Sequence, residues 1–279
     1  MRIGNLSGRL TIFTEAGAVD VERASDGHFA ANPESIYPRW AEFTQWARTC
    51  PDDSAVDFLP AELGPPSPKP AQIFAIGANY RDHIAEGGIE TPEYPMVFTK
   101  FVSSVTGPAG AITLTTATVD WEAELVVVIG KEGHKVAVEN AWDYVAGLTI
   151  GQDLSDRVIQ LRGPIPQLSL GKSLPNFSPT GPWLVTPDEF ADPDNLEISC
   201  ALNGDTKQKA RTADMIYSVP AFISELSAIV MLYPGDVLWT GTPAGVGIAE
   251  KPPRYLRAGD ELVTVIDGIG EMRHNFLQA

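Results

Sequence analysis

Cysteine and histidine are both rare in this chain, with two cysteines and four histidines among 279 residues. Cys50 and Cys200 are too far apart for a zinc-ligand spacing, and two cysteines do not make a disulfide framework. The longest apolar runs fall far short of the roughly 18–20 residues that span a bilayer. The first residues show no apolar segment of the kind found in signal peptides. We therefore expect a soluble, cytoplasmic protein.

Basic residues are scarce as well: 20 Lys and Arg stand against 36 Asp and Glu, for a formal net charge of −16. Nucleic acids and anionic membranes are bound by basic surfaces, so we expect neither as a partner. A few local cations could still receive an anionic small molecule in one pocket. The sequence lacks Gly-x-Gly-x-x-Gly, the P-loop and the Gly-x-Ser-x-Gly elbow. Nucleotide binding and serine-hydrolase catalysis are therefore disfavoured.

Strand patterns dominate what is present, and the hydrophobic content of 44% is enough for a large core. Short strands are predicted near 10–14 and 18–21, and helices over 38–47, over about 137–145 and from Ser218 onward. These patterns predict an α+β fold that is mainly β.

A proline-rich segment, residues 60–71, fits neither a helix nor a central strand and indicates a semi-rigid linker. We place a domain boundary there. The prediction is a small N-terminal domain with its linker over residues 1–70, followed by a larger domain over residues 71–279.

Two acids, Glu122 and Glu124, stand two residues apart in an apolar run rich in Val, Ile and Trp. Such a run favours a strand, on which these side chains point to one face about 6.6 Å apart. Buried like charges repel, and a divalent cation between them removes that cost. With Asp153 as a third acid and no soft ligand nearby, the set suits Mg²⁺ first, then Mn²⁺ or Ca²⁺. The alternative is an edge strand with two solvated acids.

His83 and Glu86 form a second candidate pair, three residues apart. On a short helix over 80–87 they share a face. A glutamate beside a histidine favours the imidazolium and orients the ring, as general-base catalysis often requires. The two glycines that follow would let the segment over residues 80–95 hinge like a lid. The alternative is a surface histidine on a connecting helix.

Lys172 lies in an apolar stretch punctuated by Gly and Pro. A buried lysine can hold a substrate carboxylate or an enolate oxygen, although an exposed loop lysine is the commoner case. The glycine-containing loop 240–247 follows a predicted strand, and its free N–H groups could bind a carboxylate.

Seven motifs occur in a fixed order along the chain. They are Ile76-Gly77-Ala78-Asn79-Tyr80-Arg81-Asp82-His83, Phe98-Thr99-Lys100, Asp120-Trp121-Glu122-Ala123-Glu124-Leu125, Asp153-Leu154-Ser155-Asp156-Arg157, Gly171-Lys172-Ser173, Leu202-Asn203-Gly204, and the segment from Pro234 to Gly247. Together they resemble the fumarylacetoacetate hydrolase superfamily over about residues 71–275. The resemblance implies a mixed β-sandwich roll as catalytic domain beside a small N-terminal α/β domain. It also implies a homodimer and a bound divalent metal.

The resemblance also implies roles for individual residues. The metal ligands would be Glu122, Glu124 and Asp153; the catalytic residues His83, Glu86 and Lys172; and the substrate-binding residues Tyr80, Lys100, Arg157, Gln160 and Thr242. Many members carry Arg or Leu where Ala78 stands, and Asp where Val158 stands. These two departures concern the identity of the substrate more than the type of reaction.

The function predicted from this resemblance is metal-dependent hydrolysis of a C–C bond in a 1,3-dicarbonyl acid, such as an acylpyruvate or a fumarylacetoacetate-like substrate, giving two carboxylic acids. The alternative is decarboxylation of an oxaloacetate-type acid, or isomerisation of a 2-hydroxyhepta-2,4-diene-1,7-dioate-type acid in aromatic catabolism. A non-enzymatic metal-binding protein is least favoured, because every expected metal ligand and the His83–Glu86 pair are present. The expected partner is a small keto or dicarbonyl acid.

Overall fold

The computed structural model describes residues 1–88 and 90–279. Its strands are β1 (Arg2–Leu6), β2 (Arg9–Thr14), β3 (Gly17–Asp20), β4 (Leu63–Gly64), β5 (Ile73–Gly77), β6 (Met96–Thr99), β7 (Val105–Thr106), β8 (Ala109–Leu114), β9 (Val119–Asp120), β10 (Ala123–Ile129), β11 (Val145–Gln152), β12 (Ser155–Asp156), β13 (Ser178–Val185), β14 (Glu197–Leu202), β15 (Asp205–Arg211), β16 (Val237–Trp239), β17 (Glu261–Ile266) and β18 (Gly270–Gln278).

The helices are short and lie between strands. The α-helices are α1 (Val21–Ala24), α2 (Trp40–Ala47), α3 (Arg81–Gly87), α4 (Arg157–Gln160), α5 (Leu168–Gly171) and α6 (Val219–Ser227). Short 3-10 helices span Pro33–Arg39, Pro60–Glu62, Val102–Ser104, Val138–Tyr144, Pro187–Glu189, Thr212–Asp214 and Gly247–Ala249. The mainly β, α+β fold predicted from the sequence is confirmed.

A large mixed sheet forms the framework, in the order β3-β2-β1-β13-β11-β10-β16-β5-β6. β10 lies inside this sheet, antiparallel to both β11 and β16. Every residue of β10 is buried, because both faces of this strand are covered. A strand buried on both faces is apolar almost throughout, and its one charged residue, Glu124, therefore stands out.

A second sheet, in the order β15-β14-β17-β18-β8, packs against one face of the large sheet. β17 alternates buried and half-buried residues, so one of its faces turns inward. Leu125 and Val127 of β10 share a core with Ile198 and Leu262 of this second sheet. This core lies directly behind the strand that carries the acids.

The opposite face of the large sheet is covered by the N-terminal segment. Val126 and Val128 of β10 pack in a second core with Phe29, Ile36 and Phe43. The two cores therefore sandwich β10, and the side chains of alternate residues enter different cores.

The N-terminal strands join the large sheet directly. β1 pairs with β13, and β4, inside the proline-rich segment, pairs with β1. The division of the chain at residue 70 stays a prediction. Among the described residues, no helix combines the length and the apolar composition that a membrane crossing requires.

Three predicted helices can be compared with the structure. The helix predicted over 38–47 begins as a 3-10 segment and continues as α2. The segment about 137–145 is a 3-10 helix rather than an α-helix. Ser218 caps α6 as predicted, with its hydroxyl accepting from the N–H of Ala221 at 3.4 Å.

Candidate active site

The three predicted metal ligands lie together at the end of the β10–β11 ladder. Glu122 immediately precedes β10, Glu124 lies in it, and Asp153 immediately follows β11. The backbone N–H of Asp153 donates to the carbonyl of Glu122 at 2.8 Å, which holds the two residues side by side. One carboxylate oxygen from each residue lies within 4.8 Å of the others, and all three residues are buried. Because β10 is an interior strand, the alternative of solvated acids on an edge strand is wrong. We call these residues the acid triad.

Two buried lysines contact the acid triad. The Lys172 amine donates to Glu122 at 2.7 Å and to Asp153 at 2.6 Å. The Lys100 amine donates to Asp153 and to the carbonyls of Lys172 and Phe177. Lys172 lines the cavity, whereas Lys100 does not. Lys100 therefore holds the Asp153 carboxylate in place from outside the cavity.

The two glutamates have opposite electrostatic environments. Burial alone would raise the pKa of Glu122, but Lys172 and Arg157 lower it to about 2. Burial, and then the charge of Asp153, raise the pKa of Glu124 well above its ordinary value. In the described part of the chain, the Glu124 carboxylate accepts only the backbone N–H of Gly241, at 2.8 Å. Glu124 is therefore the acid of the triad that, among the described residues, accepts no hydrogen bond from a cationic side chain.

The balance of buried charges shows whether a metal ion fits this site. Four buried acids, the triad and Asp120, face three buried cations, Lys100, Arg157 and Lys172. With all of these groups ionised, one negative charge is left over, and the triad offers only carboxylate oxygens as donor atoms. A hard divalent cation suits carboxylate oxygen donors and more than offsets this excess negative charge. The residues present therefore fit the predicted metal.

Arg157 is bound on three sides within the protein. Its Nε and Nη2 donate to Asp120 at 2.9 and 2.6 Å, and Nη2 also donates to Glu122 at 2.8 Å. Its Nη1 donates to the Gln160 side-chain oxygen at 2.7 Å. A guanidinium has five N–H donors, and four are used here. Arg157 therefore has at most one donor for a substrate.

His83 and Glu86, the predicted catalytic pair, lie together on α3, with 2.8 Å between His83 Nδ1 and Glu86 Oε1. The carboxylate of Glu86 also accepts the backbone N–H of Gly245, at 2.9 and 3.1 Å. α3 is therefore tied to the loop 240–247. The segment predicted to hinge includes Ile89, which lies outside the described residues, and the hinge stays a prediction.

A cavity of about 470 Å³ brings most of the predicted residues together. Its polar lining consists of His83, Glu86, Glu122, Glu124, Asp153, Arg157, Gln160, Lys172 and Thr242. Its apolar lining includes Ile76, Met96, Phe98, Leu161, Leu168 and Val246. A cavity of this size with convergent acids, bases and donors suits a small polar molecule.

Two predicted substrate-binding residues, Tyr80 and Lys100, do not line this cavity. Tyr80 is buried and lines a smaller neighbouring cavity of about 250 Å³, where its hydroxyl has no partner among the described residues. Of the two family departures, Ala78 lines the main cavity, whereas Val158 is exposed outside it. The short Ala78 side chain leaves space there that a longer residue would fill.

Two buried residues at the site were missed by the sequence reasoning. Asp120 binds Arg157, and its carboxylate accepts the backbone N–H groups of Gly247 and Ile248 at 2.7 and 3.0 Å. The sequence did contain a signal for Asp120, because it lies two residues before Glu122 and so continues the two-residue spacing of the acids. Gln208 contacts Thr242, but it comes from the second sheet, and no sequence signal pointed to it.

A model of the fumarylacetoacetate (FAA) hydrolase C-terminal domain matches residues 72–277, the stretch that contains every residue of this site. The chain belongs to this family. The superfamily predicted from the seven motifs is therefore confirmed.

Curated members of the family include two informative relatives. The rat mitochondrial oxaloacetate tautomerase Fahd2a is 44% identical over 207 residues, which cover 74% of this chain and 66% of the relative. The Bacillus subtilis oxaloacetate tautomerase YisK is 40% identical over 241 residues, covering 83% of this chain and 79% of the relative. The chain thus spans slightly less than two thirds of the length of the rat protein.

Solved structures of the family superpose on the whole chain. A structure from Mycobacterium smegmatis is 50% identical with a TM-score of 0.95, and each chain is covered completely. The Sphingobium sp. SYK-6 maleylpyruvate hydrolase, solved with manganese(II) and pyruvate, is 28% identical with a TM-score of 0.79 and complete coverage of both chains. A divalent metal is thus found in a family member of this fold.

Proposed function

We propose that the chain is a divalent-metal-dependent enzyme that interconverts the keto and enol forms of oxaloacetate or a closely related 2-keto diacid. The similarity of 40–44% to two relatives named oxaloacetate tautomerases is the observation that carries this proposal. The maleylpyruvate hydrolase is 28% identical. These comparisons support the isomerase and decarboxylase alternative better than C–C bond hydrolysis.

The cavity contains the groups that enolisation needs. His83 Nδ1 is engaged by Glu86, so the other ring nitrogen, Nε2, is available to take a proton from C3 of the substrate. The electron pair of that C–H bond then forms the C2–C3 double bond, and the π electrons of the carbonyl move to the C2 oxygen. The resulting enolate takes a proton from solvent to give the enol, and His83 releases its proton to solvent. No water attack is required, so the His83–Glu86 pair does not by itself imply hydrolysis.

The acid triad would hold the divalent cation, Mg²⁺ or Mn²⁺, which would polarise the C2 carbonyl. Lys172 presents a second positive charge in the cavity for the developing enolate oxygen. Gln160 and Thr242 offer polar contacts to the carboxylates. Buried cations and donors act more strongly than they would in water, because solvent screens them less.

The test is to follow the ultraviolet absorbance of enol-oxaloacetate with the Mg²⁺-loaded protein. Acceleration of its decay above the spontaneous rate is expected, and His83→Ala should reduce it by about 10²–10⁴-fold. His134→Ala, at an exposed histidine, is the matched control and should retain the activity. Pyruvate formed from oxaloacetate in the same sample would report decarboxylation.

C–C bond hydrolysis is the second candidate, favoured by the intact His83–Glu86 pair and by the maleylpyruvate hydrolase likeness. Incubation with acylpyruvates and product analysis by mass separates the two. Cleavage of acylpyruvates without any acceleration of tautomerisation would overturn the proposed function. We also propose, as the sequence predicted, a homodimer located in the cytoplasm.

A further inference from the structure

Gln208 reaches from the second sheet into the wall of the candidate active site. It lies in β15 and is buried, and its side-chain oxygen accepts the backbone N–H of Ala123 at 2.9 Å. Its side-chain nitrogen donates to the Thr242 hydroxyl and to the Pro243 carbonyl, both at 2.8 Å. Gln208 thus connects the strand that carries Glu124 with the loop that carries Thr242.

The partners of Gln208 allow only one orientation of its amide group. The backbone N–H of Ala123 can only donate, so it must face the amide oxygen. The carbonyl of Pro243 can only accept, so it must face the amide nitrogen. The second N–H of that nitrogen then points at the Thr242 hydroxyl, which acts as the acceptor.

Because the Thr242 hydroxyl accepts a hydrogen bond from Gln208, its own proton must be donated elsewhere. A hydroxyl has one proton to donate, and Gln208 occupies one of its lone pairs. Within residues 1–88 and 90–279, no protein group accepts that proton, and Thr242 lines the main cavity. The hydroxyl is therefore left to donate toward a molecule in the cavity.

We propose that Gln208 is a positioning residue that makes Thr242 a donor to the substrate, and so selects a substrate group that can accept a hydrogen bond. This inference rests on the proposed function, in which a carboxylate or a keto oxygen occupies that place. A substrate group that can only donate, such as an ammonium, would face the donating hydroxyl and form no hydrogen bond with it. The selectivity thus originates in a residue that does not line the cavity.

A double-mutant cycle tests the link between the two residues. Thr242→Val removes the hydroxyl, and the KM for oxaloacetate should rise roughly 10- to 100-fold, the value of a hydrogen bond to a charged group. Gln208→Met keeps the length of the side chain but removes its donors, so the hydroxyl can turn, and KM should rise roughly 3- to 10-fold. In the Thr242→Val background, Gln208→Met should raise KM no further.

Gln152→Met provides the matched control. Gln152 is also a buried glutamine between the two sheets, where it binds the backbone N–H of Glu122 at 2.9 Å and the Thr264 hydroxyl at 2.9 Å. Its effect on KM should be the same with and without the Thr242 hydroxyl. Equal effects of Gln208→Met in both backgrounds would mean a purely structural role and would overturn the inference.

Binding of malate separates this inference from the proposed function. Malate has two carboxylates and cannot tautomerise, and its Kd for the Mg²⁺-loaded variants can be measured by calorimetry. Non-additive changes in Kd across the cycle would support the donor role of Thr242 even if the wild type does not tautomerise oxaloacetate. Additive changes, or no change, would overturn it even if the enzyme is active.

Discussion

Glu122 and Glu124 share one face of a strand, yet we predict that removing their charges has opposite effects on the metal-free protein. Glu122 accepts hydrogen bonds from Lys172 at 2.7 Å and from Arg157 at 2.8 Å. Glu124 accepts no hydrogen bond from a cationic side chain in the described residues, and burial and repulsion by Asp153 outweigh the attraction of Lys172. Glu122→Gln should therefore destabilise the protein, and Glu124→Gln should stabilise it.

The size of the Glu122 effect follows from its pKa, which falls from 4.5 to about 2 because Lys172 and Arg157 outweigh the effect of burial. A carboxyl with a lowered folded pKa stabilises the protein above its unfolded pKa, and the contribution is lost as pH falls through the folded value. Near neutral pH the contribution is complete, and a shift of this size corresponds to about 3 kcal/mol.

The sign is reversed for Glu124, because burial and Asp153 raise its pKa. A raised folded pKa means that stability is present at low pH and is lost as pH rises through the folded value. Neutralising Glu124 should therefore raise the free energy of unfolding wherever the wild-type carboxyl would be ionised.

Urea unfolding in the presence of a chelator measures both effects. Glu139→Gln, at an exposed position, is the control and should stay within about 0.5 kcal/mol of the wild type. Excess Mg²⁺ should then stabilise the wild type more than either triad variant, because binding to the folded state adds to its stability. If both triad variants shift in the same direction in chelator, the reasoning about their environments is refuted.

Three further predictions concern pH, packing and metal. Burial lowers the pKa of His274 to about 4 despite its contact with the Gly107 carbonyl. Because the unfolded chain then binds a proton at a higher pH than the folded protein does, the free energy of unfolding should fall by about 2 kcal/mol between neutral pH and about pH 5. His274→Gln should flatten that part of the urea-measured stability curve, and parallel curves would count against this. Gly151→Ala would place a methyl group 2.5 Å from the Trp239 ring and from Val126, and should cost about 1–3 kcal/mol in urea unfolding; an unchanged midpoint would contradict the packing. Chelation should abolish tautomerase activity, and Mg²⁺ or Mn²⁺ should restore it; full activity after chelation would exclude the metal.

The closeness of Glu122 to Glu124 and of His83 to Glu86 could be predicted because the signals are local. Glu122 and Glu124 follow the two-residue period of a strand, and His83 and Glu86 follow the spacing of a helix. The position of Asp153 beside them depends on the pairing of β10 with β11, which sequence spacing alone does not show.

The roles of the cations and of Gln208 could not be read from the sequence, because tertiary contacts decide them. Arg157 was predicted to bind substrate, but Asp120, Glu122 and Gln160 use most of its donors. Nothing in the pattern of β15 distinguishes Gln208 from a solvated polar residue until the second sheet packs on the first. The segment about 137–145 has helical periodicity but forms a 3-10 helix, a difference that apolar spacing does not resolve.

The pairing of β1 with β13 bears on how the chain could be shortened. A chain that begins at residue 72 would keep every residue of the cavity and the whole family match. It would also leave the β13 segment Leu184–Val185 without its neighbour and uncover the apolar face that Phe29 and Phe43 protect. Unpaired strand edges and bare apolar surfaces recruit other chains. Such a shortened protein would aggregate even though it retains every residue of the candidate active site.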